Sequence, residues 1–102
     1  MAPTYDIETA FSRDWKGLSA AQKQDFHVAY RQLKADIAAA NSRPIQFHPS
    51  LRIKGVQGRS GVFEMTWAPD GRATFEFGPE QRSGKVHIVW RRIGTHDILS
   101  RP

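Results

Sequence analysis

The chain has 102 residues, no cysteine and a formal net charge of +5. This length suits one small domain over residues 1–102, and a disulfide framework is impossible without cysteine. No segment approaches the ~18 apolar residues of a membrane-spanning helix, and the start of the chain lacks the pattern of a secretory signal. We therefore expect a basic, folded domain that works in the cytoplasm without a membrane partner.

The segment before residue 19 predicts a short strand followed by a short helix. Residues 4–8 alternate in part between apolar and polar, as a strand does. Three apolar residues then follow at spacings of four and three, which is the stripe of a helix: Phe11, Trp15 and Leu18.

A longer helix is predicted from about residue 20 to residue 40. Ser19 and Gln22 have the spacing of a capping box, and Asn41 and Pro44 end the pattern. One face of this helix is apolar and is expected to pack against a sheet: Phe26, Ala29, Tyr30, Leu33 and Ile37.

The second half of the chain predicts four strands in a meander, at residues 51–54, 62–67, 72–77 and 86–93. The middle two flank a turn at 68–71 and form a hairpin. We expect an α+β domain in which the N-terminal strand and the helical hairpin pack on one face of a twisted, mainly antiparallel sheet. The opposite face is expected to be open and polar. The inward residues of the hairpin are predicted to be Phe63, Met65, Trp67, Ala73, Phe75 and Phe77.

Positive charge is concentrated in these strands. Residues 51–102 carry nine Lys or Arg and five Asp or Glu, whereas residues 1–50 carry six and five. A basic sheet face is typical of binding to a polyanion such as RNA, although a solvated surface has the same composition. The cations on or beside the strands are Arg52, Lys54, Arg59, Arg72, Lys85, Arg91 and Arg92.

Two residues in the second half of the chain suit chemistry on a phosphodiester. His96 follows the last strand, a few residues after Arg91 and Arg92, and a histidine near such cations suits general acid or base work. Alternatively, it is a surface residue of a C-terminal turn. Arg72 begins a strand, where its guanidinium could hold a phosphate; alternatively, it pairs with Glu64 across the hairpin. The spacing of the four histidines does not match a metal site.

Three segments together resemble the RelE/ParE superfamily of bacterial toxins, which are the toxin halves of type II toxin–antitoxin pairs. They are the strand 61–67, the strand 71–75 and the closing Ile93-Gly94-Thr95-His96. The similarity runs from about Tyr5 to Leu99. The ending is most similar to the YafQ branch, and the hairpin matches the YoeB branch in length.

The resemblance implies a ribosome-dependent endoribonuclease that cuts mRNA without a metal or cofactor and is neutralised by an antitoxin protein. The ribose 2′-OH attacks the adjacent phosphate in this chemistry. By position, Arg72 corresponds to the arginine that stabilises the phosphate and His96 to the acid. Asp70 corresponds to the Pro-Asp of the YafQ turn. The base is left open between Glu64 and Lys54.

The sequence departs from the pattern at two places. Glu64 and Thr66 stand where the RelE branch has two lysines, and Leu99 and Ser100 replace a C-terminal aromatic residue. Two other functions therefore stay open: a ParE-like inhibitor of DNA gyrase, and a non-catalytic RNA-binding module of the same fold. Contacts to RNA are expected from Arg52, Arg59, Asp70, Lys85, Arg91 and Arg92.

Overall fold

The computed structural model describes residues 2–41 and 43–102. Its helices are α1 (Thr9–Lys16) and α2 (Ala20–Ala40). Its strands are β1 (Thr4–Ile7), β2 (Lys54–Gly55), β3 (Val62–Thr66), β4 (Gly71–Gly78) and β5 (His87–Thr95). Short 3₁₀ turns cover Pro49–Leu51 and His96–Ser100.

The five strands form one sheet in the order β1-β5-β4-β3-β2. β1 is parallel to β5, and every other neighbouring pair is antiparallel. The predicted meander and hairpin are therefore confirmed, and so is the α+β class. Neither described helix is long and apolar enough to cross a membrane.

The capping box predicted at the start of α2 is present. The backbone N–H of Gln22 donates to Ser19 Oγ at 3.1 Å, and the backbone N–H of Ser19 donates to Gln22 Oε1 at 2.8 Å. Such a cap stabilises a helix by about 1 kcal/mol because it satisfies N–H groups that have no partner within the helix. At the other end, Asn41 adopts the left-handed conformation that ends many helices.

Trp90 of β5 lies at the centre of the core between the helices and the sheet. It is 1% exposed, and the centroids of four aromatic rings lie 5.1–5.9 Å from its own. Burial of one large apolar side chain stabilises a fold by roughly 1.5–3 kcal/mol, so this cluster holds both helices on β5. The four rings belong to Phe11, Phe26, Tyr30 and Phe75.

β5 contains a β-bulge that the alternation of its sequence does not reveal. Phe75 pairs with Trp90 and Thr74 with Arg92, so Arg91 has no partner of its own on β4. The extra residue changes the phase of the strand. Trp90 and Ile93 are consequently both in the core although they are three residues apart.

Two details of the predicted strands are wrong. Residues 51–54 do not form a strand, because Pro49 begins a 3₁₀ turn that buries Leu51, and only Lys54–Gly55 pairs with β3. Phe77 contacts Phe63 and Phe75 but is 37% exposed, since it lies next to the end of β4.

The second face of the sheet is only partly open, contrary to the expectation. Gly94 has no Cβ, which lets Ile98 of the last 3₁₀ turn lie against it; an added Cβ would stand 2.9 Å from Ile98 Cγ2. Three polar side chains expected on an open face are buried instead: Glu64, Thr74 and His87. Thr66 and Arg72, at the end of this face nearest the β3–β4 turn, are half-buried.

Candidate active site at the turn end of the sheet

The end of β5 brings His96 to the hairpin turn. Thr95 pairs with Gly71, so the next residue emerges beside the turn that carries Asp70. His96 Nδ1 lies 2.5 Å from Asp70 Oδ1, and both side chains are more than half exposed. A carboxylate on Nδ1 favours the proton on that nitrogen. The other ring nitrogen, Nε2, lies 3.7 Å from Asp97 Oδ1 and is the atom that could exchange a proton with a substrate.

Electrostatics favour the charged form of this imidazole. The pKa of His96 is raised, first by the hydrogen bond with Asp70 and then by the negative charges of Asp70 and Asp97; desolvation and Arg72 oppose the shift weakly. The pKa of Asp70 is lowered, chiefly by the same hydrogen bond. His96 therefore holds its proton to a higher pH than a free histidine, which suits a general acid.

Arg72 lies on β4 directly beside this pair. Its Nη1 donates to the carbonyls of Gly71 at 2.9 Å, Pro69 at 3.3 Å and Ala68 at 3.4 Å. No carboxylate is within ion-pair distance of Arg72 in residues 2–41 and 43–102. The charge of the guanidinium acts on both His96 and Asp70. The structure thus brings together the predicted phosphate ligand and the predicted acid.

The predicted alternative for Arg72, an ion pair with Glu64, is not formed. Thr66 is the residue opposite Arg72, and Glu64 is opposite both Thr74 and Lys54. Lys54 Nζ lies 3.6 Å from Glu64 Oε1. The lysine is 70% exposed in its side chain, whereas the glutamate is 10% exposed.

Glu64 and Lys54 stand on the wall of two adjoining clefts. One, of about 310 Å³, also contains Arg72, Thr66 and Arg52. The other, of about 570 Å³, contains Gln57 and Leu99. Glu64 and Arg72 therefore line one cleft, whereas His96 lines neither of the two. No three His, Cys, Asp or Glu side chains of the described residues are grouped closely enough to hold a metal ion.

Arg92, in contrast, is engaged by the protein itself. Its Nε lies 2.6 Å from Asp14 Oδ2 and its Nη2 lies 3.2 Å from Asp14 Oδ1, which is a bidentate pair. Asp14 Oδ2 also accepts the backbone N–H of Ile93 beyond the end of β1. The pKa of Arg92 is raised, mainly by the hydrogen bond to Asp14.

Arg91, the bulge residue, is held in a similar way. Its Nη1 lies 2.8 Å from Glu76 Oε2 and 3.6 Å from Glu8 Oε1, and its Nε donates to the carbonyl of Pro102 at 3.1 Å. The RNA contacts predicted for Arg91 and Arg92 would have to compete with these partners.

The remaining predicted RNA contacts lie in loops. Arg59 is exposed in the loop before β3, and Lys85 is half-buried before β5. Arg52 is exposed with a left-handed backbone, φ 48°. Its side chain lines the 310 Å³ cleft with Arg72.

The sequence patterns missed one role at this site. Asp70 is expected from them to contact RNA, yet its carboxylate is bound to His96. A signal was available, since an acidic residue in the turn of a hairpin lies opposite the end of the neighbouring strand.

The fold is shared with toxins of known structure. A chain of the Escherichia coli DinJ–YafQ toxin–antitoxin complex is 16% identical, with a TM-score of 0.64 over 97% of this chain and 98% of that one. The chain has the RelE/ParE toxin fold. A YoeB/ParE toxin from Agrobacterium tumefaciens gives a TM-score of 0.61 at 11% identity, over 91% and 98% of the two chains.

An archaeal structure with the RelE/ParE fold agrees with these two. A chain of the RelB–RelE antitoxin–toxin complex from Methanococcus jannaschii gives a TM-score of 0.56 at 14% identity, over 92% of this chain and 93% of that one. No protein-family model and no curated protein matches the sequence. The expected fold is thus confirmed.

Proposed function

We propose that this RelE/ParE-fold protein is the toxin of a type II toxin–antitoxin pair and acts as an endoribonuclease on mRNA at the ribosome. The observation that carries the proposal is the grouping of His96, Asp70 and Arg72 at one end of the sheet. An acid, its orienting carboxylate and a guanidinium without a carboxylate partner among the described residues are the groups that cleavage of a phosphodiester needs.

In the proposed reaction, the ribose 2′-oxygen attacks the adjacent phosphorus while a base takes the 2′-proton. The P–O5′ bond breaks as His96 Nε2 gives its proton to the departing oxygen. The products are a 2′,3′-cyclic phosphate and a free 5′-hydroxyl. Arg72 stabilises the extra negative charge on the phosphoryl oxygens, for which its planar fork of donors is suited.

Glu64 suits the role of base better than Lys54 does. A lysine ammonium paired with a carboxylate has no lone pair to accept a proton, whereas an ionised carboxylate accepts one directly. Both residues line the cleft that contains Arg72, so the choice between them rests on this difference. In this assignment, Lys54 holds the Glu64 carboxylate in place through their 3.6 Å contact.

The test is cleavage of a reporter mRNA on translating ribosomes by the purified protein, with the termini of the products identified. We expect cyclic phosphate and 5′-hydroxyl ends from the wild-type protein, also in the presence of a chelator. His96→Ala and Arg72→Ala are expected to lose cleavage while they stay folded, as judged by circular dichroism. Intact cleavage by both variants would refute the assignment, and inhibited gyrase supercoiling without RNA cleavage would replace the function.

We further propose that an antitoxin protein neutralises this chain. Two structures with the same fold are toxin–antitoxin complexes, DinJ–YafQ and RelB–RelE. The net charge of +5 favours a partner with an acidic segment. Co-expression with any small reading frame found next to this one in the genome, followed by purification of the pair, tests this partner.

A further inference from the structure

A third, larger cleft adjoins the candidate active site on the side of α2. Its volume is about 750 Å³, and it lies between α2, the 3₁₀ turn at Pro49–Leu51 and the β3–β4 turn. It shares Arg52, Thr66 and Arg72 with the 310 Å³ cleft, so the two adjoin. We call the larger one the α2 cleft.

Charge in the α2 cleft favours an anion. Three guanidiniums line it, those of Arg31, Arg52 and Arg72, against the single carboxylate of Asp25. Arg31 is exposed on α2. A cleft lined by cations of this kind binds a phosphate backbone because each Arg fork matches the oxygens of a phosphate.

Arg52 joins the two clefts in a conformation that most side chains avoid. Its φ of 48° and ψ of 41° are left-handed. Glycine or asparagine meets the least strain in this region of backbone conformation. Strained residues cluster at sites that bind ligands. An arginine at this position is consistent with a need for its guanidinium between the clefts.

The wall of the α2 cleft contains an unpaired donor. Trp67 is 8% exposed, and its indole N–H has no hydrogen-bond partner in the described part of the chain. Buried donors without an acceptor are uncommon in native proteins. The nitrogen is itself closed to solvent, so it is a feature of the wall and not by itself a ligand contact.

We infer that the α2 cleft holds the single-stranded RNA that flanks the scissile linkage, with Arg31 and Arg52 on successive phosphates. This inference rests on the proposed function, and it extends the substrate site from the sheet to α2. Arg31 becomes a binding residue that the sequence patterns did not indicate.

The experiment measures binding of a short 2′-O-methyl oligoribonucleotide, which cannot be cleaved because its 2′-oxygens are blocked. Arg31→Ala is compared with Lys34→Ala, which removes the same charge from the same helix. Lys34 is the matched control because its ammonium lies over the Tyr30 ring and does not line the cleft. Affinity is measured over a series of salt concentrations.

We expect Arg31→Ala to weaken binding by about threefold, the size of one exposed ion pair. The slope of log affinity against log salt should fall by about 0.7, the value for one phosphate contact on a single strand. Lys34→Ala should change neither the affinity nor the slope. Equal losses in both variants, or displacement of the RNA by polyglutamate at a lower concentration than by unlabelled RNA, would overturn the inference.

A second comparison uses Arg52, whose backbone is left-handed. Arg52→Gly and Arg52→Ala both remove the guanidinium, and both should weaken RNA binding. Only glycine adopts the left-handed backbone conformation without strain, so the glycine variant should have a higher melting temperature than the alanine variant. If both bind RNA as the wild type does, the inference fails while cleavage on ribosomes still reports on the proposed function. If the wild type binds RNA in the cleft but never cleaves it, the proposed function fails instead.

Discussion

The sheet carries arginines in two regions that behave differently. At the turn end, which comprises Asp70, Arg72 and His96, the guanidinium binds only backbone carbonyls among the described residues, and the imidazole is 64% exposed. At the bulge edge, which comprises Arg91 and Arg92, each guanidinium is bound to at least one carboxylate and is at most 24% exposed.

The difference shows that the partner of an arginine, and not its place in a basic segment, decides what the arginine does. A guanidinium that binds only carbonyls keeps its full positive charge for a substrate. A guanidinium in a bidentate pair has its charge offset by Asp14 and acts as a brace between α1 and β5. Three substitutions separate these two roles, and a fourth tests the packing between the two regions.

The largest effect is expected for Arg72→Ala. Cleavage should fall by about 10²–10³-fold, because the phosphate loses the donor that stabilises its developing charge. Arg72 makes no ion pair among the described residues. Its Nη1 does donate to three carbonyls of the turn, so the free energy of unfolding should fall by up to about 1.5 kcal/mol. Single-turnover cleavage and urea denaturation measure the two quantities. A large loss of stability would show that the turn end is structural too.

Arg92→Ala is expected to lower the stability of the fold. It leaves the Asp14 carboxylate, whose side chain is 15% exposed, without its cationic partner. The loss in unfolding free energy should be about 1.5–3 kcal/mol, the range for a hydrogen bond to a charged group. Urea denaturation measures this loss.

The matched control for Arg92→Ala is Arg82→Ala, because Arg82 is exposed in a loop. Its removal should change the free energy of unfolding by less than about 0.5 kcal/mol, as is usual for a surface substitution. Equal stability of the two variants would mean that the bulge edge does not brace the fold.

Asp70→Asn tests the electrostatics of the turn end through pH. Because the carboxylate raises the pKa of His96, its removal returns that pKa toward the ordinary value. A general acid with a lower pKa loses its proton at a lower pH, so the alkaline limb of the kcat/KM profile should move to lower pH. The loss of rate should be smaller than for His96→Ala, since the acid itself remains. An unmoved alkaline limb would exclude His96 as the acid.

The smallest effect is expected for Thr74→Val, between the two regions. Thr74 is fully buried, and its hydroxyl has no partner in residues 2–41 and 43–102. An apolar group of the same shape removes the cost of a buried unpaired hydroxyl, so stability should be unchanged or rise by up to about 1 kcal/mol. Urea denaturation measures it. A loss of more than about 1 kcal/mol would show that the hydroxyl is satisfied by ordered water.

Local sequence patterns predicted most of the fold. The capping box placed the start of α2, and alternation placed β3 and β4 and the turn between them, because these features depend on residues close in the chain. The alternation also predicted that Trp67 lies in the core, where it is 8% exposed. Resemblance to the toxin superfamily then supplied the candidate roles of Arg72 and His96.

Only the tertiary structure decided how the charged side chains are paired. The bulge at Arg91 changes the phase of β5, the bond between Asp14 and Arg92 joins residues 78 positions apart, and the bond between Asp70 and His96 spans 26 positions. Such pairings depend on strand register and on where α1 returns to the sheet, which no short window of sequence specifies. Composition therefore determined that the chain is basic, whereas packing determined which of its cations remain available to a phosphate.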